Sequence, residues 1–255
     1  MSPKKVLYND PRFSYSRFWT KRQYENISEQ IALTHFCRQI SNKNLAADIG
    51  AGYGRHTKFF AKIFKKCLLI DPSDKQLKIA LNQVKEKNVD IIKSYAENLP
   101  FKDNTFDAAF LIRVVHHLEE PKVALGEISR VLKTGGYLVL EFANKTHFLA
   151  TIKHLLTFNF SYFKNIKPIK VPQSSSSAEE SVIYLNFHPR YIEKILEKEG
   201  FKILEHLSVS NLRSQFIKKV LPFNLLIFIE KFLQRLLAQL YFGPSIFVLA
   251  KKTHT

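Results

Sequence analysis

Apolar residues arrive along the chain in short blocks separated by amphipathic stretches. Leu45-Ala-Ala-Asp-Ile49 reads as a short buried strand. From Arg55 to Lys65 the positions Phe59, Phe60, Ile63 and Phe64 share one side of a helix. Cys67–Ile70 is a second strand ending at Asp71, and Ser73 is placed to cap a helix over 74–87, with Leu77, Ala80, Leu81 and Val84 as its apolar set. Val89–Lys93 and Phe106–Ile112 are the third and fourth strands. A helix over 121–133, closed by Gly135-Gly136, leads to a fifth at Tyr137–Phe142. Strands alternating with helices of this length predict an α/β fold, a parallel sheet with helices on both faces.

The flanks differ. Residues 1–40 form a basic, aromatic lead (Phe13, Tyr15, Phe18, Trp19, Tyr24) running into a helix near 25–40, with the helical pattern beginning at Ser28-Glu-Gln-Ile31. After Asn144 the alternation stops. Residues 145–188 hold five lysines, no acid before Glu179, and the run Gln173-Ser-Ser-Ser-Ser177; an insertion this long reads as a lid or binding element. A helix over 189–199, opened by Pro189 and stopped by Gly200, then a strand over 201–209, resume the pattern. A hydrophobic helical stretch over 212–241 is broken at Pro222, and Ser245–Ala250 is the final strand. The division expected is a lead (1–40), a core (41–144), a lid-like insertion (145–188) and a C-terminal completion (189–255) with its own helical insertion.

Composition narrows the classes. With 255 residues, 45% hydrophobic and 13% aromatic, the chain can build a large core, which excludes global disorder. Cys37 and Cys67 are too few for a disulfide framework or a thiolate zinc site, and a reducing, cytoplasmic compartment fits. The first residues lack the apolar core of a secretory signal, and no run reaches the roughly 18 apolar residues of a spanning helix. The formal charge of +17 is unevenly spread: +4 over 1–40, +4 over 41–144, and +9 over 145–255, where 16 basic residues face 7 acidic ones. Such a balance admits nucleic acid, an anionic membrane, an acidic substrate, or simply a lysine-rich background.

Three of the eight glycines fall within five residues, Asp48-Ile-Gly50-Ala51-Gly52-Tyr-Gly54, between a strand and a helix. Glycine there allows a tight turn and lets a ligand approach main-chain N–H groups. A dinucleotide site wants G-x-G-x-x-G. Here the spacing is G-x-G-x-G, and Arg55 stands where that third glycine would be. Asp71, ending the next strand, can bind both hydroxyls of a ribose in either class.

These residues resemble the first two motifs of the class I S-adenosylmethionine (SAM)-dependent methyltransferases. Ala96-Glu-Asn-Leu-Pro-Phe-Lys-Asp-Asn-Thr-Phe-Asp107 is similar to a block of the small-molecule branch that contains the ubiquinone/menaquinone methyltransferases. Val114-Val-His-His-Leu118 and Leu132-Lys-Thr-Gly-Gly-Tyr-Leu138 extend the match over roughly 42–144. The resemblance implies a three-layer Rossmann-like sandwich whose seven-stranded sheet is mostly parallel with the last strand antiparallel, carrying a helical N-terminal lead and lid and C-terminal helical insertions. It implies SAM as cofactor and methyl transfer to a small, apolar or aromatic acceptor. Gly50, Ala51, Gly52 and Gly54 would pack against the methionine part of SAM, with Asp48 near its ammonium. Asp71 and Pro72 would meet the ribose, and Tyr95, Ala96, Glu97 and Arg113 would complete the cofactor site. Where the family often has Asp or Asn before that Ala, this chain has Tyr95, which leaves main-chain contacts or ring stacking to the adenine. His116 and His117, after the fourth strand, are candidate bases for the acceptor. Tyr15, Trp19 and Tyr24 are candidate acceptor-binding residues.

Other readings stay open: an RNA or protein methyltransferase using its basic cap, nucleic acid being the less favoured partner, or a non-catalytic SAM- or nucleotide-binding module. Neither a metal-ligand spacing nor an Asn/Asp-Pro-Pro-aromatic motif is present. In 212–241, Leu225, Ile229, Phe232, Leu233, Leu236, Leu237 and Leu240 form a stripe at helical spacing. It reads as a face docked on the sheet or on a second copy in a homodimer, or as peripheral membrane contact.

Overall fold

A computed structural model describes residues 15–171 and 184–253, with side chains from residue 18 onward. Phe13, the side chain of Tyr15 and the Gln173–Ser177 run lie outside the described residues. The elements run α1 (Tyr15–Thr20), α2 (Gln23–Gln39), β1 (Leu45–Ile49), α3 (Thr57–Phe60), β2 (Lys66–Asp71), α4 (Asp74–Gln83), β3 (Val89–Lys93) and β4 (Phe106–Leu111). A 3₁₀ turn at Val115–His117 precedes α5 (Pro121–Val131) and β5 (Leu132–Ala143). Then come α6 (Phe148–Leu156), α7 (Ser161–Lys164), β6 (Ile169–Lys170), β7 (Leu185–Asn186), α8 (Pro189–Lys198), β8 (Phe201–Val209), α9 (Gln215–Val220), α10 (Phe223–Leu236) and β9 (Ser245–Lys252).

Seven strands form one sheet in the order β3-β2-β1-β4-β5-β9-β8. The pairs from β3 to β5 are parallel, and β9 runs antiparallel to both β5 and β8. Alternate strand residues feed two cores. One face sets Ala47, Ile49 and Leu138 against Leu125, Ile128, Ile192 and Leu196 of α5 and α8. The other sets Ala46, Phe110 and Val139 against Leu33 and Phe36 of α2 and Phe60 of α3. This is the three-layer Rossmann-like sandwich expected. Connections from β1 lead outward one way and those from β4 the other, so the β1 and β4 loops open side by side at the switch point, where such sheets bind ligands.

Several boundaries differ from the periodicity. α2 begins at Gln23, one turn before Ser28. The helix expected over 55–65 is α-helical only at Thr57–Phe60; the Asn88 amide then takes the carbonyls of Ala61 (2.9 Å) and Phe64 (3.1 Å), leaving turns in place of a helical ladder. α4 stops at Gln83 rather than 87, because Val84 turns extended into the core and Lys85-Glu-Lys87 have nothing to bury. Gly135-Gly136 does not close α5. Strand β5 already starts at Leu132, and between the pairs Phe106–Leu132 and Ala108–Tyr137 the glycines carry an irregularity, with Gly135 at φ +80°. The stretch 212–241 resolves into α9 and α10 on either side of Pro222.

Of the alternatives for the stripe on α10, the sheet-docked face is the one the structure overturns, with Ile229, Leu233 and Leu237 half-buried at its margin. The buried ridge of α10 is Leu226, Glu230, Gln234 and, just beyond the helix, Ala238, whereas Leu225, Phe232, Leu236 and Leu240 are exposed. Polar side chains point inward here because they have partners. Glu230 accepts hydrogen bonds from the Tyr24 hydroxyl (2.6 Å) and the Ser210 N–H (2.8 Å), and the Gln234 amide donates to the Ser28 carbonyl (2.8 Å).

Candidate active site

The glycine loop leaves β1 in a conformation that side-chain-bearing residues rarely adopt: φ is +69° at Gly50, +58° at Gly52 and +83° at Gly54. Gly50 and Ala51 donate their N–H groups to the Ile70 carbonyl on β2 (2.7 and 3.0 Å). A Cβ on Gly50 would lie 2.3 Å from Val114 Cγ2, so the β1 and β4 loops touch at this point. Asp71, buried at the end of β2, stitches the loop from the other side. One carboxylate oxygen accepts the Gly52 N–H (2.8 Å) and the other the Ser73 N–H (2.8 Å). Pro72 is half-buried beside it, and Ser73 caps α4 by accepting the Gln76 N–H.

Burial pushes the Asp71 carboxyl up to about 6 against those two backbone donors. Asp48, near the end of β1, is buried with one side-chain donor, the Thr57 hydroxyl at 2.6 Å, and burial pushes it up to about 7. Two buried acids thus stand at one loop with their charge under-compensated. A cation and a pair of hydroxyls are the chemistry that such a pair accommodates, so the donor set fits SAM.

Beside the loop lies a cluster that the periodicity did not reveal. Glu29 on α2 is fully buried and receives Arg55 Nη2 (2.6 Å), Arg113 Nε (2.7 Å) and Nη2 (2.6 Å), and His56 Nε2 (3.2 Å). Burial pulls the Glu29 carboxyl upward, but Arg113 and Arg55 outweigh it and hold it well below the usual carboxylate range. Burial, reinforced by Arg55, lowers His56 to about 4, so its ring stays neutral. Arg113 sits at φ +63° and donates its N–H to Glu141 (3.0 Å), a second buried acid at the end of β5. Trp19 roofs the cluster: the Arg55 guanidinium lies 3.5 Å from its ring centroid and that of Arg113 5.7 Å. One signal was available in the sequence, an acid on the α2 face that also carries Leu33 and Phe36.

The remaining candidates separate into groups. His116 and His117 follow β4 in the 3₁₀ turn, their rings 4.1 Å apart; Tyr184, leading into β7, lies 4.3 Å from His116. Burial, with help from His117 and Arg113, holds His116 well below its ordinary value, and its Nδ1 has no hydrogen-bond partner. Ala96 is buried, Glu97 half-buried, and Tyr95 exposed in a tight bridge with Asn98. Tyr24 is a correction. Its hydroxyl is engaged by Glu230 and by the Leu212 N–H (2.9 Å), which makes it part of the α2–α10 junction and not an acceptor contact. Among the described residues no His/Cys/Asp/Glu group could hold a metal ion.

Residues 47–140 match a family model described as a methyltransferase domain. The chain is 32% identical over 182 residues, 66% of its length and 69% of the relative's, to the ubiquinone/menaquinone biosynthesis C-methyltransferase UbiE of Hydrogenovibrio crunogenus. Among solved structures, a SAM-dependent methyltransferase of Thermotoga maritima superposes with a TM-score of 0.58 at 21% identity, covering 93% of this chain and 94% of that one. The 1,6-didemethyltoxoflavin-N1-methyltransferase of Burkholderia thailandensis, bound to 1,6-didemethyltoxoflavin and S-adenosylhomocysteine, superposes with a TM-score of 0.59 at 14% identity, over 94% and 83% of the two chains. At these identities the two structures speak to the fold.

Proposed function

The chain belongs to the class I SAM-dependent methyltransferases, and from that premise we propose that its acceptor is a small, apolar or aromatic metabolite. The observation that carries the reading is the make-up of the surface beyond β4. Among the described residues the groups there are the rings of His116, His117 and Tyr184; the nearby guanidiniums of Arg55 and Arg113 are taken up by Glu29, and Arg213, within electrostatic reach of Arg113 and Tyr184, is one exposed cation beside them. An RNA acceptor needs free cations at the reacting end to meet phosphates. The ubiquinone/menaquinone relative supports the same direction.

SAM, when bound, supplies an electrophilic methyl group on a sulfonium. Asp48, the Gly50–Gly54 main chain, Asp71, Ala96 and Glu97 are the residues that would hold it, and Arg113, fixed by Glu29 and Glu141, shapes the wall between the cofactor loop and the acceptor. His116 is buried and neutral with its Nδ1 unpartnered, so it can accept a hydrogen bond from an acceptor's hydroxyl, but burial, His117 and Arg113 hold it well below its ordinary value and make it a weak base. Holding the acceptor in line supplies much of the remaining acceleration.

Labelled SAM offered with a panel of quinols, phenols and heteroaromatics, alongside bulk RNA and protein extracts, tests the reading. Label is expected in a small aromatic product; label found only in RNA or protein would overturn it. Asp71→Ala is expected to weaken SAM binding by about 1–3 kcal/mol in calorimetry, the range for a hydrogen bond to a charged group.

A further inference from the structure

Helix α10 is amphipathic in the inverted sense. Glu230 and Gln234 face inward with their hydrogen bonds made, while Phe228, Phe232 and Leu236 face outward at 71%, 71% and 61% exposure. The ridge continues through Leu225 and Leu240. Folding alone does not demand it, since the inward polar anchors already fix the helix on α2 and β8. We propose that this outward ridge of α10 docks the protein onto an anionic lipid bilayer.

Charge selects that occupant. From residue 206 to the end of the chain the single acidic residue is Glu230, and it is buried, against seven Lys and Arg. Lys231 and Arg235 are exposed, Arg235 with its Nε 3.5 Å from the Glu205 carboxylate, and each immediately precedes an outward apolar residue, so their heads flank the ridge where an interfacial helix places them. Between α2 and α10 lies a groove of about 1100 Å³, lined by Ile27, Ile31, Phe228 and Phe232 and carrying Arg38 and Lys231. An apolar slot beside cations matches an acyl tail with an anionic head. A second copy is a poorer occupant, because a two-fold contact sets the same basic residues against themselves and each chain carries +17. α10 spans 14 residues, and no helix among the described residues is long and apolar enough to cross a membrane; the helix lies in the interface plane. The docking stands apart from the acceptor's identity.

Co-sedimentation of the full chain with phosphatidylcholine vesicles, with and without phosphatidylglycerol, tests it. The wild type is expected to pellet with the anionic vesicles, about tenfold or more weakly with neutral ones, given the contribution of each basic residue near an anionic surface. F228Q/F232Q/L236Q is expected to keep its SAM affinity and unfolding midpoint yet stay in the supernatant. Should that variant misfold, K231E/R235E carries the test and is expected to lose the anionic preference. Wild type that remains in the supernatant with anionic vesicles overturns the proposal, as does a well-folded triple variant that pellets like wild type. A wild-type dimer by light scattering that the triple variant splits, without vesicle binding, assigns the ridge to a second copy instead.

Discussion

Glu29 and Glu230 are both fully buried, on helices that pack against each other, yet they are held in opposite ways. Glu29 sits in a cationic cage of Arg55 and Arg113, with the neutral His56 ring as a third contact, and stays well below the usual carboxylate range. Glu230 is met by neutral donors from Tyr24, Ser210, Asn211 and Gln234, and burial prevails over them to raise its carboxyl. The cationic cage stands where α2 meets the glycine loop and the β4 loop, whereas the neutral one anchors α10 on α2 and β8.

Breaking the cationic cage is expected to cost most. Glu29→Gln keeps the size but leaves the Arg55 guanidinium without its counter-ion and Arg113 with Glu141 alone, 3.8 Å away, a loss of about 3–5 kcal/mol in urea unfolding. The sign with pH is fixed by the depressed carboxyl. Its stabilisation is complete above the ordinary carboxylate value and fades as pH falls through the lower folded one. A loss below about 1 kcal/mol at pH 7 would show that the cage is dispensable.

The neutral cage is expected to cost less and to depend on pH in the other direction. Glu230→Gln turns an amide N–H₂ toward inward-pointing donors, a loss of about 1–3 kcal/mol. Because the folded carboxyl of Glu230 is raised, its contribution is complete below the ordinary value and is lost as pH rises through the folded one. The deficit of Glu230→Gln relative to wild type is therefore expected to shrink as pH rises above the ordinary carboxylate value, while that of Glu29→Gln does not. Parallel unfolding series across that range decide between them, and identical pH trends would erase the distinction.

The same contrast explains what could be read in advance. β1, its glycine loop and Asp71 were legible because their signals are local: a short apolar run, glycines at fixed spacing, an acid at the next strand's end. The sheet followed from alternation, with its antiparallel last strand implied by the family resemblance. The cage was not legible, since Glu29 draws its partners from residues 55, 56 and 113, which only the switch-point topology brings together. The orientation of α10 was not legible for a related reason. Periodicity tells which residues share a face but not which face meets the core, and Glu230 and Gln234 turn inward because Tyr24 and Ser28, some 200 residues away, supply partners. The helix over 55–65 is cut short by distant partners, the Asn88 amide on the Ala61 and Phe64 carbonyls and the Lys43 carbonyl on the Lys65 N–H (2.9 Å).

Asp48 joins the two cases. Alone it resembles Glu230, raised to about 7 by burial with a single hydroxyl donor. With SAM on the glycine loop, a cation would give it what Arg55 and Arg113 give Glu29, and its carboxyl would ionise. The raised carboxyl stabilises the ligand-free fold fully below the ordinary value near 3.9, and that contribution fades as pH rises through about 7. SAM affinity runs the opposite way. At pH 6 about one Asp48 in ten is ionised and at pH 7 about half, while the ligand's α-ammonium is still mostly protonated, so affinity is expected about fivefold weaker at pH 6 than at pH 7, about 1 kcal/mol. Calorimetry at pH 6.5 in buffers of different ionisation enthalpy is expected to show proton release on binding. Asp48→Asn should remove the step near pH 7, while Asp71→Asn, acting on a carboxyl raised only to about 6, should keep it. Affinity flat from pH 6 to 7 would place the cation elsewhere and leave Asp48 a structural acid like Glu230.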